Sequence, residues 1–253
     1  MSVPRILIIA GSDSGGGAGI QADVKTVTML GGHAMTAITA ITAQNTLGVQ
    51  GVHPIPTDMV LAQMESCISD IGVDAVKIGM IGSAQTAAAV ADRLAQLEGV
   101  PIVFDPVMVA TSGSMLADAE TIAAFEKLMR IATLVTPNIP ELAALGGEGI
   151  AARFGVHVLA KGGHGAGPML VDRLIGPHGP VADWEDDRID TMHTHGTGCT
   201  LATGVATGLG EGLGLLLSIE RARAYVREAL MLAPGLGSGH GPMGMPTTWL
   251  VDA

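Results

Sequence analysis

Apolar and polar positions along this 253-residue chain switch repeatedly between a period of two and a helical period. "RILIIAG" (5–11) is an unbroken apolar run stopped by glycine, the pattern of a strand buried on both faces. "IQADVKTVTMLGG" (20–32) places apolar residues at helical spacing and ends on glycine. "HAMTAITAIT" (33–42) returns to alternation with β-branched residues, which predicts a second strand. "TDMVLAQMESCISDIG" (57–72) opens with a Thr-Asp cap and continues as an amphipathic helix. Strand, helix and strand follow at 74–80, 83–99 and 100–106. A helix near 118–130, a strand at 132–137, a short helix at 138–146 and a strand at 156–163 continue the series, and helices dominate from 197 to 235. This alternation predicts an α/β fold with a mostly parallel central sheet and helices on both faces. With no repeat and no interdomain linker, one domain is expected over 1–253, with 235–253 as a mobile tail because "GLGSGHGPMGMP" has little helical character.

An open parallel sheet binds ligands at the carboxyl ends of its strands. Polar and glycine-rich segments fall at those ends: "GSDSGGGAG", "QNTLG", "GMIG", "DPVMVATSG", "TPNIPE" and "AKGGH", while "HGTGCT" opens a helix. A single polar loop is commonplace. Seven in register on one edge predict a site.

Composition then removes several classes of function. The net charge is −11, from 13 Lys+Arg against 24 Asp+Glu, which argues against a nucleic-acid partner whose phosphates would be repelled. Aromatic residues are only 2% of the chain, so the stacking platforms of RNA-binding proteins are absent. The two cysteines, Cys67 and Cys199, lie far apart and do not suggest a secreted disulfide framework. No apolar stretch approaches a membrane span, and the amino-terminal run is too short for a signal segment. A cytoplasmic, soluble protein is expected.

Two glycine-rich segments carry candidate chemistry. "GSDSGGGAG" (11–19), pinned between a strand and a helix, allows close backbone approach to a ligand. It matches neither a Walker A loop nor a dinucleotide fingerprint, so a small substrate suits it better. In "HGTGCT" (195–200), the backbone amides of residues 196–199 would open a helix whose positive end favours a transferring phosphoryl group. Cys199 at that terminus is expected to have a lowered pKa and to be partly thiolate near neutral pH. Its bland rival is a small buried side chain at a tight helix start. A zinc site is disfavoured, because His193, His195 and Cys199 have no second cysteine at ligand spacing.

The ordered set "AGSDSGGGAGIQAD", "TAQNTLGV", "VKIGMIG", "DPVMVATSG", "TPNIPE", "KGGH" and "THGTGCT" resembles the hydroxymethylpyrimidine/phosphomethylpyrimidine kinases of thiamine biosynthesis, members of the ribokinase-like superfamily. The resemblance runs from about residue 5 to about residue 240. It implies a phosphotransferase that uses ATP and Mg2+ to phosphorylate an aminopyrimidine alcohol and its monophosphate. Gly196, Thr197, Gly198 and Cys199 match the family's Gly-Thr-Gly-Cys element, with Gly196, Gly198, Cys199 and Lys161 in catalytic positions and Thr197 towards the nucleotide. Gln44 matches the residue whose carboxamide reads the pyrimidine, and Gly11, Asp23, Met80 and Val107 match other substrate-side positions. Asn138 and Glu141 match the N-x-x-E motif that holds magnesium and triphosphate, usually through water. Asp105 lies near the same ion, and Lys161 near the nucleotide phosphates. The partners implied are small molecules, with no nucleic acid and no membrane, and a homodimer is expected.

Each residue has a plainer reading: Gln44 as a turn cap, Glu141 as a first-turn helix charge, Asp105 as a turn residue, Lys161 as a loop charge. Asp23, on the first helix, could simply face solvent. Two features depart from the family pattern. The segment near 147–155 is short, and Thr111 stands where many members have lysine. Two alternatives stay open: a pyridoxal kinase of the same superfamily, which shares the cysteine, and a pyrimidine-binding protein without catalysis.

Overall fold

The computed structural model describes residues 3–110, 113–164 and 167–247. Strand β1 (Arg5–Asp13) is the buried apolar run, and it lies inside the sheet, between two parallel neighbours. Helix α1 (Gly19–Met29) leads to β2 (His33–Asn45), which pairs parallel with β1 and antiparallel with β3 (Gly48–Pro54) at the sheet edge. Helix α2 (Thr57–Asp70) crosses to β4 (Ala75–Ile78), parallel on the other side of β1. Then α3 (Ala84–Leu94), β5 (Ile102–Phe104), α4 (Ala119–Ile131), β6 (Leu134–Val135), α5 (Ile139–Leu145), α6 (Ile150–Phe154) and β7 (His157–Ala160) extend the parallel sheet outward. A 3-10 turn (Gly162–His164) precedes the antiparallel hairpin β8 (Met169–Gly176) and β9 (Gly179–Asp187). Helices α7 (Thr197–Gly210) and α8 (Leu215–Met231) close the chain's regular structure. The strand order is β3-β2-β1-β4-β5-β6-β7-β8-β9, mostly parallel as the periodicity predicts.

Period-two geometry splits the core. Ile6, Ile8 and Ala10 of β1 join Val27, Leu201, Val205 and Ile219 under α1, α7 and α8. Leu7 and Ile9 point the other way, into a layer with Val60, Met64, Val90, Phe125 and Leu128 from α2, α3 and α4. Each fully buried Leu or Ile stabilises the fold by about 1.5–3 kcal/mol, so both helical layers are anchored through the same strand.

Four elements, β3, β8, β9 and α6, are absent from the periodicity reading. Strand β3 is an edge strand exposed over most of its length, and its "GVQGVHP" carries no apolar face. The β8–β9 hairpin escapes because β9, "GPVADWEDD", offers mostly polar residues around a Gly-Pro-His-Gly turn. In the short 147–155 segment, α6 makes only one and a half turns. Residues 235–247 of the expected tail are among the described residues. Within them, Gly239 N–H donates to Thr46 Oγ1 (3.3 Å), Gly244 N–H to the Ala229 carbonyl (2.8 Å), and the Gly241 carbonyl accepts from His195 N–H (3.2 Å). Residues 248–253 and Thr111 lie outside the described residues. Among the described residues, no helix is long and apolar enough to cross a membrane.

Candidate active site

All seven predicted segments line one cavity of about 870 Å³ at the carboxyl edge of the sheet. Gly11, Gln44, Met80, Val107, Asp105, Asn138, Glu141, Lys161, Gly196, Thr197, Gly198 and Cys199 all reach it. Asp23 does not. It is buried behind the wall, 2.7 Å from Lys77 Nζ, and takes a 2.7 Å hydrogen bond from Thr203 Oγ1. Neither direct substrate contact nor a solvent-facing charge describes it; its partner Lys77 is the group that opens to the cavity.

The start of α7 is shaped by Gly196, which sits at φ 87° with the Gly17 carbonyl packed where a Cβ would project. An L-residue rarely adopts that φ, so glycine is required. No side chain caps this helix, and residues 196–199 at its partially positive end line the cavity. Next to it, Lys161 Nζ lies 2.8 Å from Asp105 Oδ1, which also accepts from Thr136 Oγ1 at 3.0 Å. A Cβ added at Gly198 would come 3.1 Å from Lys161 Nζ, so the lysine lies directly against the helix start. Asn138 and Glu141 form a reciprocal capping box at α5, both bonds 2.8 Å, which fixes the Glu141 carboxylate.

The charges are mutually tuned. Burial raises the Asp105 carboxyl, but Lys161 and Lys77 outweigh it and hold it below the usual range. Lys161 is pulled down by burial yet held above the ordinary lysine value by Asp105 and Glu141. Glu141 differs: burial dominates, Lys161 offsets only part of it, and its carboxyl stays raised. Lys77 keeps its proton: burial opposes the charge, but the neighbouring Asp23 and Asp105 carboxylates favour it more strongly.

Cys199 corrects the expectation of a thiolate. Although the residue opens partly to the cavity, burial pushes its thiol up to about 11, and Lys77 only partly counters this while Asp23 and Asp105 oppose ionisation. The helix start is real, but two nearby carboxylates and desolvation win. Iodoacetamide is therefore expected to alkylate Cys199 slowly at pH 7, with the rate climbing about tenfold per pH unit towards 10. Cys199→Ser should keep kcat within about tenfold of the parent from pH 6 to 9; a drop of about 10²–10⁴-fold would restore the thiol as a general base.

Sequence reasoning missed Asp13 and His195, although both stand inside quoted segments. Asp13 Oδ2 lies 2.9 Å from His195 Nε2, and His195 Nε2 lies 3.3 Å from the Gln44 carboxamide. The signal available was an acid and a histidine flanking the two glycine-rich turns. The distal rim was also missed: Arg223 bonds Asp172 (2.8 Å) and Asp186 (2.7 Å), all from elements the periodicity left unread or assigned to generic helix.

A model of the phosphomethylpyrimidine kinase family matches residues 13–244. The chain belongs to the phosphomethylpyrimidine kinase family. Hydroxymethylpyrimidine/phosphomethylpyrimidine kinases of Rhizobium meliloti and Streptomyces coelicolor are each 44% identical to it, over 97% and 95% of this chain and 98% and 93% of theirs. Some relatives are longer: the chain spans 35% of a thiamine biosynthesis multifunctional protein ThiED of Corynebacterium efficiens (43% identity) and 51% of the bifunctional ThiED of Geobacter sulfurreducens (45%). Among solved structures, an ADP complex of Bacillus subtilis pyridoxal kinase aligns with a TM-score of 0.87 at 31% identity, covering 98% of this chain and 100% of that one. A phosphomethylpyrimidine kinase from Clostridium difficile aligns at 0.77 and 34% identity, over 90% and 99%. The fold is therefore the ribokinase-like one that this kinase family shares with pyridoxal kinases.

Proposed function

We propose that this member of the phosphomethylpyrimidine kinase family uses ATP to phosphorylate 4-amino-5-hydroxymethyl-2-methylpyrimidine and then its monophosphate. The observation that carries the reading is one cavity lined by a carboxamide, an uncapped helix start, a lysine and two carboxylates. The Gln44 carboxamide, a donor and an acceptor side by side, suits an aminopyrimidine's ring nitrogen and amino group. Lys161 and the α7 amides suit the triphosphate and the charge that develops on the transferring group. ATP as co-substrate is supported by the ADP bound to the Bacillus subtilis relative and the AMP-PCP bound to a Staphylococcus aureus pyridoxal kinase. An ATP-dependent reaction in turn supports a cytoplasmic location, and apolar side chains exposed on the β2–β3 edge (Ile41, Leu47, Val52) support a homodimer.

Mg2+ fits the residues present. It takes oxygen ligands and is commonly held by one or two carboxylates together with substrate phosphates. Asp105 and Glu141 supply such carboxylates, and the raised Glu141 carboxyl is a buried acid whose charge is incompletely compensated. Among the described residues no cluster of three or more His, Cys, Asp or Glu forms a complete cage, which suits an ion shared with the nucleotide. When bound, magnesium would neutralise triphosphate charge. Lys161 orients the phosphates, Gln44 holds the ring, and the α7 amides receive the developing negative charge. In a loose transition state the hydroxymethyl proton leaves late, so the neutral Cys199 thiol is compatible with turnover.

The decisive experiment is a steady-state kinase assay with the aminopyrimidine alcohol and pyridoxal side by side. Preference for pyridoxal, or binding without turnover, would overturn the reading. Within it, Gln44→Ala should raise the pyrimidine KM about tenfold or more, since a lost buried polar pair costs ~1–3 kcal/mol. A raised KM for ATP alone would make Gln44 a nucleotide contact and not a pyrimidine one. Glu141→Gln keeps the capping box, since a Gln carbonyl can still accept from Asn138 N–H. Because the folded-state pKa of Glu141 is raised, charging it penalises the fold at neutral pH, so the Gln variant should melt no lower than the parent at pH 8. Its turnover at limiting magnesium should nevertheless fall; full activity there would remove Glu141 from the ion's site.

A further inference from the structure

We propose that Asp13 and His195 form a positioning pair that fixes which end of the Gln44 carboxamide donates and which accepts, and so sets the choice between an aminopyrimidine and its oxo counterpart. The inference rests on the pyrimidine reading above and goes beyond it by assigning the origin of that selectivity.

The argument is proton bookkeeping. Asp13 Oδ1 accepts from Gly15 N–H at 2.8 Å, and Oδ2 accepts from Gly17 N–H at 3.1 Å and Ala18 N–H at 2.9 Å. Three backbone donors require an ionised, acceptor-only carboxylate. The same Oδ2 lies 2.9 Å from His195 Nε2, so that nitrogen carries a proton whatever the state of the other ring nitrogen. As placed, Gln44 Nε2 lies 3.3 Å from the same His195 Nε2, and Gln44 Oε1 lies 3.2 Å from Thr42 Oγ1, a setting that a half-turn of the carboxamide exchanges.

Thr42 has a single hydroxyl proton, and its Oγ1 lies 2.9 Å from the Ser12 carbonyl, which can only accept. Thr42 therefore gives its proton to Ser12 and can only accept from Gln44. The proton count therefore favours the half-turned setting, with the Gln44 NH2 group facing Thr42 and its oxygen facing His195, where it shares the single Nε2 proton with Asp13 as the longer, weaker acceptor. The half-turn exchanges O and N with no change of outline. The unturned setting would press two N–H groups together at His195 and leave the Thr42 contact with no proton. The Gln44 backbone cannot shift to escape, because Ser14 Oγ accepts from its N–H and donates to its carbonyl, both at 2.8 Å.

With both flanks committed, the front edge of the carboxamide presents one N–H and one oxygen lone pair to the cavity in a fixed order. An aminopyrimidine answers that order with its ring nitrogen and amino hydrogen. The 4-oxo analogue presents a ring N–H and a carbonyl, the reverse order, and would leave buried polar groups opposed.

The test is isothermal titration, without ATP, of the parent, His195→Leu, His195→Gln and Thr42→Val with the aminopyrimidine alcohol and its 4-oxo analogue. The parent should prefer the amino compound by about a hundredfold or more. His195→Leu frees the carboxamide to turn, and the preference should fall at least about tenfold. His195→Gln restores an N–H at similar reach and should hold the preference within about threefold. Thr42→Val removes the opposite partner and should reduce the preference as His195→Leu does, which keeps the test valid if the leucine variant does not fold. The KM for ATP should be unchanged in every folded variant. Parental preference in the folded His195→Leu and Thr42→Val proteins, or loss of preference in His195→Gln equal to that in His195→Leu, overturns the inference while leaving the kinase reading intact. A parent that binds neither pyrimidine overturns the kinase reading itself.

Discussion

Lys77→Met is expected to destabilise the protein by about 3–5 kcal/mol, the cost of stranding a buried charge after its partner is removed. Lys77 and Asp23 are both fully buried and 2.7 Å apart, and Thr203 is the other side chain bonded to that carboxylate. Asp23 itself is buried behind the cavity wall, so its charge stays out of water once the lysine is gone. The deficit relative to the parent should narrow as pH falls, because Asp23 in the variant escapes its penalty by taking a proton. Lys77→Met combined with Asp23→Leu should recover most of the loss, since an apolar pair can substitute for a buried ion pair with little net cost. Denaturant unfolding at pH 8 and pH 5 checks both statements. A single variant within about 1 kcal/mol of the parent would mean the pair is not a buried unit in solution.

Gly196→Ala should lower kcat/KM by at least about a hundredfold, as expected when a catalytic group moves by an ångström. The residue sits at φ 87°, where an L-residue costs roughly 1–2 kcal/mol, and its Cβ would collide with the Gly17 carbonyl. The backbone must give way at the point where the 11–19 turn meets the start of α7. That displaces the helix start lining the cavity together with the loop that Asp13 organises. Gly198→Ala makes an instructive control. Its Cβ meets the mobile end of Lys161 at 3.1 Å and Asp105 Oδ2 at 3.7 Å, so the fold should survive while kcat drops. Parental kcat/KM in Gly196→Ala would show that the turn relaxes freely and that the helix start is not a fixed anion site.

The loops proved more legible than the sheet edges. Glycine, asparagine, aspartate and proline mark strand ends by backbone chemistry, and every segment chosen on that basis lines the cavity. Strand β3 was hidden because an edge strand need not bury a face, and β9 because its outward residues are acids. The electrostatics were the least legible part. Asp23 reads as an ordinary helix charge until β4 brings Lys77 beneath it, 54 residues away in sequence. Cys199 shows its helix start in the sequence, but not the two carboxylates and the burial that keep its proton on. Asp13 and His195, 182 positions apart, become partners only through the fold.

The strand order has a consequence for how the molecule comes into being. The first three strands can pair as they emerge; β4 then docks on the free side of β1, and each later strand adds beside its immediate predecessor. A ribosome could thus deliver the sheet in order, with no strand required to insert between two already joined. Helix α7 arrives only after the ninth strand, and it packs across β1, β4 and β5 to bring its amides to their carboxyl ends. A nascent chain stopped before residue 197 would carry all nine strands but not the helix start that lines the cavity. It would also lack the α7 and α8 side chains that cover Ile6, Ile8 and Ala10, so one face of the sheet and the site would be completed together.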